Sequence, residues 1–252
     1  MVNLFWLSDE PWAVIEPFMP REQPGPERND DRQIISGILH VLTSGCRWRD
    51  GPAAYGPRTT VYNRLNRRSR RGFWKAMLTA LAGPGWAGDA TALDSSYVRA
   101  HRSAQGGKGG PRAQAIGPSR GGQTIKIHAR TDVLGRPGVL LLTPGNASDV
   151  TTAPAVLAEA PGRIRRFSAD TGYDADWLRT DLRTSGVTPV IPGKRSRKRR
   201  IPHDRPRYRE RWRIEAMFAR LTDFRRIATP YDKLARNDTS ALALAAVVAS
   251  WC

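Results

Sequence analysis

Apolar residues recur at helical spacing through the first part of the chain and at two-residue spacing beyond it, so the change of period predicts two architectures in succession. Trp12, Ile15, Phe18 and Met19 form a stripe after the start signal Ser8-Asp9-Glu10-Pro11, with Ser8 as cap. Ile34, Ile35, Ile38, Leu39 and Leu42 place a second helix over residues 30–44, stopped by Gly45. Val61, Tyr62 and Leu65 are the inner face of a third helix that starts at Thr59, and a fourth runs over Phe73–Leu81. Gly83-Pro84-Gly85-Trp86-Ala87-Gly88 reads as a linker. Beyond it strands are expected at residues 91–98, 123–131, 138–142, 164–169 and 187–191, and helices at 150–158, 175–184, 208–225 and 239–250. The expected organisation is an all-α, helix-turn-helix-like domain over residues 1–83, a linker over 84–90 and an α/β domain over 91–252.

Charge changes this picture most. The 252 residues carry a net charge of +18, with Arg dominant, and such a field favours a polyanionic partner over a membrane or a small neutral substrate. On the third helix Arg58, Asn63, Arg64, Arg67 and Arg68 supply the polar, basic side that a recognition helix needs to contact duplex DNA; a helical bundle with a solvated basic face is the alternative. The stretch Ala100–Gly122 has no periodicity and is rich in Gly; with Lys108 and Arg120 it reads as a flexible basic strap for a phosphate backbone, or as plain disorder. It has neither the phosphate-loop nor the dinucleotide glycine spacing. A second basic run, with Lys194, Arg195, Arg197 and Lys198, precedes the helix that carries Glu215 and is expected beside the site. Cys46 and Cys252 exclude a disulfide framework and fit a reducing cytosol. The apolar tail 241–252 is too short to span a bilayer and reads as a buried terminal helix.

Few acids stand out against this background. Asp94 interrupts a strand of apolar and small residues, a costly choice unless the charge is used. Asp170 closes a strand at its C-terminal end, where α/β sheets place ligands. Glu215 borders a helical core stripe, on the same side as Tyr208, Arg211 and Thr222. Carboxylates from separate segments suit hard, oxygen-seeking cations such as Mg²⁺ or Mn²⁺, and a pair of such ions serves phosphodiester cleavage. Taken singly, Asp89, Asp132, Asp174, Asp176 and Glu210 compete with them, and Arg211–Glu215 is also explained as a helical ion pair. The metalloprotease, paired-cysteine and nucleophile-elbow motifs are absent, and the four histidines have no metal spacing. His128 reads as a packed sheet histidine.

Several runs resemble the insertion-sequence-five group of bacterial transposases: Gly45-Cys46-Arg47-Trp48-Arg49-Asp50, Tyr55-Gly56-Pro57-Arg58-Thr59-Thr60-Val61-Tyr62-Asn63-Arg64, Leu93-Asp94-Ser95-Ser96, Thr143-Pro144-Gly145-Asn146-Ala147-Ser148-Asp149 and Asp170-Thr171-Gly172-Tyr173-Asp174-Ala175. The resemblance implies an RNase H-like catalytic domain with a mixed sheet flanked by helices, and Asp94, Asp170 and Glu215 as catalytic residues and ligands of Mg²⁺ or Mn²⁺, two ions in all. It also implies double-stranded DNA as partner (terminal inverted repeats and target), a homodimer in the DNA complex and a cytoplasmic, nucleoid-associated location. Tyr208, Arg211 and Glu215 match the family's signature, and Tyr208 and Arg211 join the expected DNA contacts. The signature's lysine is replaced by Thr222, which removes an expected DNA contact. The alternative function is a remnant that occupies element ends without cutting; metal-dependent nicking separates the two.

Overall fold

The chain opens on α1 (Asp9–Ile15), α2 (Asp31–Ser44), α3 (Arg58–Arg70) and α4 (Phe73–Gly85) in the computed structural model, which describes residues 4–21, 30–107, 109–159 and 164–252. The start and stop signals act largely as expected. The Asp30 carboxylate caps α2 by accepting from the amides of Arg32 and Gln33, and Gly45 ends it in the left-handed conformation at φ 76°. Ser8 stands at the start of α1 without a side-chain cap bond. The expected linker is in part helix, because α4 continues through Pro84 to Gly85.

The sheet then forms from β1 (Ala90–Arg99), β2 (Gly117–Ser119), β3 (Gly122–Thr131), β4 (Pro137–Pro144), β5 (Arg166–Ala169) and β6 (Thr188–Val190). β3 pairs antiparallel with β1 on one side and with both β2 and β4 on the other; β1, β5 and β6 run parallel. This mixed order, an antiparallel meander continued by parallel strands with helical crossovers, is the RNase H-like arrangement that the resemblance implies. The glycine-rich stretch before β3 is structured: a turn at Arg102–Ala104, α5 (Gly110–Gln114) and β2 occupy it, while Lys108 lies outside the described residues.

Helices cover both faces. α6 (Asp149–Ala158) and α7 (Asp176–Thr184) bury Leu93, Phe167 and Ala169 on one face. On the other lie α8 (Arg205–Arg209), α9 (Trp212–Thr222), α10 (Arg225–Ala228) and α11 (Ala235–Ser250). The single helix expected over residues 208–225 is broken twice. At Glu210 and Arg211 the amides bond three residues back instead of four, a tight junction, and at Phe224 the backbone turns extended. α11 is the buried terminal helix: Ala241 to Val247 are all buried, against β4 on one side and against α3 and α4 on the other. One hydrophobic core therefore runs from Ile35, Leu65 and Trp74 through α11 to Ile125, Ile127 and Leu140.

Candidate active site

Strand pairing brings two of the acids together. β1 and β5 are parallel with Leu93 opposite Ala169, so Asp94 and Asp170 follow as the next pair in register. β1 continues past this point along β3, with Asp94 opposite Ala129, whereas β5 ends and the chain turns away. Asp170 caps that turn, its Oδ1 accepting from the Gly172 amide at 2.7 Å. Glycine is required at 172 by space: a Cβ there would lie 2.8 Å from Asp170 Oδ1 and 3.3 Å from Asp149 Oδ2.

Glu215 reaches the pair through Arg211. Arg211 Nη2 donates to Asp94 Oδ2 at 2.8 Å and to Glu215 Oε1 at 3.2 Å, and its guanidinium lies 5.6 Å from the Tyr208 ring centroid. Arg211 is buried and Glu215 is largely exposed. Arg211 Nε and Nη1 are buried without a protein partner. Burial pushes the Asp94 carboxyl up to about 6; Arg211 and the Ser95 amide pull it down, and the nearby Asp170 and Glu215 carboxylates raise it again. The sequence places Tyr208, Arg211 and Glu215 in one column, but their first task in the fold is mutual: the arginine holds two acids, and the tyrosine supports the arginine.

A further acid, Asp149, was not singled out by the sequence. It opens α6, and its Oδ1 accepts from Ser95 Oγ at 2.6 Å and from Lys126 Nζ at 3.1 Å. Tyr173 lies buried beneath the cluster; burial first, then Asp149, Asp94 and Asp170, raise its phenol well above the ordinary value. The only sequence signal for Asp149 was its place at the end of the Thr143–Asp149 run. Among the described residues no group of three Asp, Glu, His or Cys side chains is already gathered around one cation position.

Residues 85–249 match the family described as "Transposase DDE domain". The chain belongs to the DDE transposases. Residues 7–78 match the family described as "Putative transposase of IS4/5 family". The "Putative transposase for insertion sequence element IS6501" of Brucella ovis is 35% identical over 115 residues, which are 44% of this chain and 85% of the relative. The "Insertion element IS402 uncharacterized 16.2 kDa protein" of Burkholderia cepacia is 36% identical over 107 residues, 37% of this chain and 73% of the relative. A solved chain from a piggyBac transposase synaptic complex with hairpin DNA superposes with a TM-score of 0.41 at 15% identity, over 79% of this chain and 51% of that one.

The basic residues of this transposase divide into exposed and committed groups. On α3, Arg58, Asn63 and Arg67 are exposed. Arg64 and Arg68, expected among the DNA contacts, are engaged within the fold. Both reach back to Asp31, and Arg68 is buried with Nη1 3.1 Å from Met19 Sδ and its guanidinium over Phe73 and Trp74. Arg197 is likewise committed: its Nε donates to Asp174 Oδ2 at 2.6 Å, and Nη1 meets Asp176 at 2.8 Å. Asp174 also accepts from the Lys194 amide at 2.7 Å and from Arg179, which holds the basic segment beside the Asp170 turn. Lys194, Arg195 and Lys198 remain exposed there and line an open groove of about 880 Å³. Arg120 is exposed at the tip between β2 and β3. Arg211 is a bridge between carboxylates, and Tyr208 is half-buried between it and His203. No helix among the described residues is long and apolar enough to cross a membrane.

Proposed function

We propose that this chain is the transposase of an insertion element, binding the element's terminal inverted repeats as duplex DNA, cutting a phosphodiester bond and joining the freed 3′-hydroxyl to target DNA, as a homodimer on the DNA. The observation that carries the reading is the register of β1 and β5, which sets Asp94 and Asp170 side by side while Arg211 ties Glu215 to the same point. The donor set is all oxygen and fits Mg²⁺ or Mn²⁺, with Asp94, Asp170 and Glu215 as the residues to hold them. Such ions, when bound, supply an activated water and offset charge on the phosphate.

The protein's own groups do the rest. Arg211 supplies the compensating charge between Asp94 and Glu215. The raised Asp94 carboxyl is in place to take up a divalent charge, because burial and two neighbouring acids disfavour three bare carboxylates. Asp149 fixes β1 through Ser95 and faces the Asp170 turn across Gly172. The exposed side of α3 and the Lys194–Lys198 segment supply the sequence-independent grip on phosphates.

Replacement of Asp94, Asp170 or Glu215 by Ala is expected to abolish Mg²⁺-dependent nicking of a supercoiled plasmid carrying the element's ends, while gel-shift binding of the end duplex persists. A variant that still nicks removes its residue from the proposed triad. A second reading, a DNA-binding remnant, rests on Thr222 at the signature's lysine position; it predicts end binding with no nicking in Mg²⁺ or Mn²⁺ by the unsubstituted chain.

A further inference from the structure

Three residues beyond Asp94, the active-site strand presents an aromatic ring to solvent. Tyr97 is 53% exposed, on the part of β1 that has run past the end of β5 and pairs with β3 alone. Lys126, its partner across β3, lies 4.7 Å from the ring centroid and covers one face. The ring lines an open groove of about 820 Å³, within the roughly 300–1,000 Å³ typical of pockets that bury a small organic ligand. Arg99 and Arg120 lie on its rim, and both are exposed. Asn146 is exposed in the same groove.

The groove adjoins the acids. Lys126 Nζ touches the Tyr97 ring, donates to the Ala147 carbonyl at 2.6 Å and meets Asp149 Oδ1 at 3.1 Å. Asp149 in turn faces the Asp170 turn. Along β1, three residues cover about 10 Å, comparable to the rise of about three nucleotides in B-form DNA, and the alternation of side chains turns Tyr97 to the face of Ser95, Lys126 and Asp149, opposite to that of Asp94. An exposed aromatic face flanked by arginines is poorly suited to paired bases, whose faces are covered by their neighbours. It suits an unpaired base, whose π-face is open and whose phosphates need cations.

We propose that this groove holds one or more unpaired nucleotides of the DNA strand next to the cut, with a base stacked on Tyr97, phosphates on Arg99 and Arg120, and the base edge against Asn146. The inference rests on the DNA-cutting reading above but concerns a separate surface, since none of these side chains belongs to the triad.

The test uses the full chain and two short DNAs of equal duplex length, one blunt and one with a three-nucleotide single-stranded extension carrying 2-aminopurine. Anisotropy is expected to show tighter binding of the extended DNA by about 5- to 100-fold, the range of one stacked base. Binding should quench the 2-aminopurine. Tyr97→Ala should remove both the preference and the quenching and leave blunt-duplex binding unchanged; Tyr97→Phe should restore both. Equal binding of the two DNAs by the unsubstituted chain, or a Tyr97→Ala variant that keeps the preference, overturns the proposal. Tight binding of the single-stranded extension alone, without any duplex binding, would support the groove and overturn the end-recognition reading instead.

Discussion

Arg211 and His128 show how single side chains take roles that their neighbours decide. Arg211 is drawn inward because Asp94 and Glu215 offer two carboxylates to one guanidinium nitrogen. His128 is the packed sheet histidine: it is fully buried, its Nε2 pairs with Thr143 Oγ1 at 2.8 Å, and its Nδ1 has no hydrogen-bond partner, with Asp149 Oδ1 3.9 Å away. Burial holds it down to about 4, against a weaker upward pull from Asp149. A histidine that is neutral when folded and protonates more readily when unfolded adds stability above its unfolded pKa, and that stability is lost as pH falls towards the folded value. Denaturant titrations are therefore expected to lose about 2 kcal/mol between pH 7.5 and pH 5 from this group, and His128→Gln should remove that part of the slope. A slope unchanged in the variant would assign the acid sensitivity elsewhere. Thr222, the last residue of α9, donates its hydroxyl back to the Ala219 carbonyl at 2.8 Å and presents no cation. Thr222→Lys is expected to raise nicking or strand transfer on a matched end by about 10–100-fold, the worth of one charged contact to phosphate. Equal rates in the two proteins would show that another cation fills the role.

At the scale of elements, α3 carries two arginine populations on one helix. Arg58, Asn63 and Arg67 point outward, whereas Arg64 and Arg68 fasten α3 to Asp31 at the start of α2. The two groups should separate cleanly by experiment. Alanine at Arg58 and Arg67 is expected to weaken duplex binding and to lower the salt slope by about 0.9 per lost phosphate contact, with thermal stability unchanged. Arg68→Ala should instead cost about 2–4 kcal/mol of stability, because it breaks a buried ion pair and empties the space over Phe73 and Trp74. Loss of stability in the first set would place those arginines in the fold, not at the DNA.

At the scale of the whole molecule, α11 is the keystone between the helical part and the sheet. Its side chains meet α3 and α4 on one side and β4 on the other, so neither part closes its core without it. Arg226 adds a polar tie, its Nη1 donating to the Cys46 carbonyl at 3.0 Å. The chain is expected to unfold in a single transition reported alike by probes in both parts. Leu244→Ala, at a fully buried position in α11, should lower the midpoint of that shared transition by the equivalent of about 2–5 kcal/mol. Two separate transitions would show that the parts fold independently.

Local chemistry made much of this legible in the sequence. Apolar spacing located α2, α3, β1, β3 and β5 closely, because periodicity follows directly from which face of an element is buried. The candidate acids stood out because a carboxylate in an apolar strand or at a strand end is costly unless it is used. What the sequence left open depends on pairs distant along the chain. The register of β1 on β5 puts Asp94 beside Asp170, contacts between distant segments bring Arg211 to Asp94 and Asp149 to Ser95, and Asp31 decides which α3 arginines face inward. Helical angle alone assigns Arg64 and Arg68 to a polar face; only the position of Asp31 and the rings of Phe73 and Trp74 turn that face into an interior. A charged side chain goes where its counter-charge is, and that place is set by the tertiary fold.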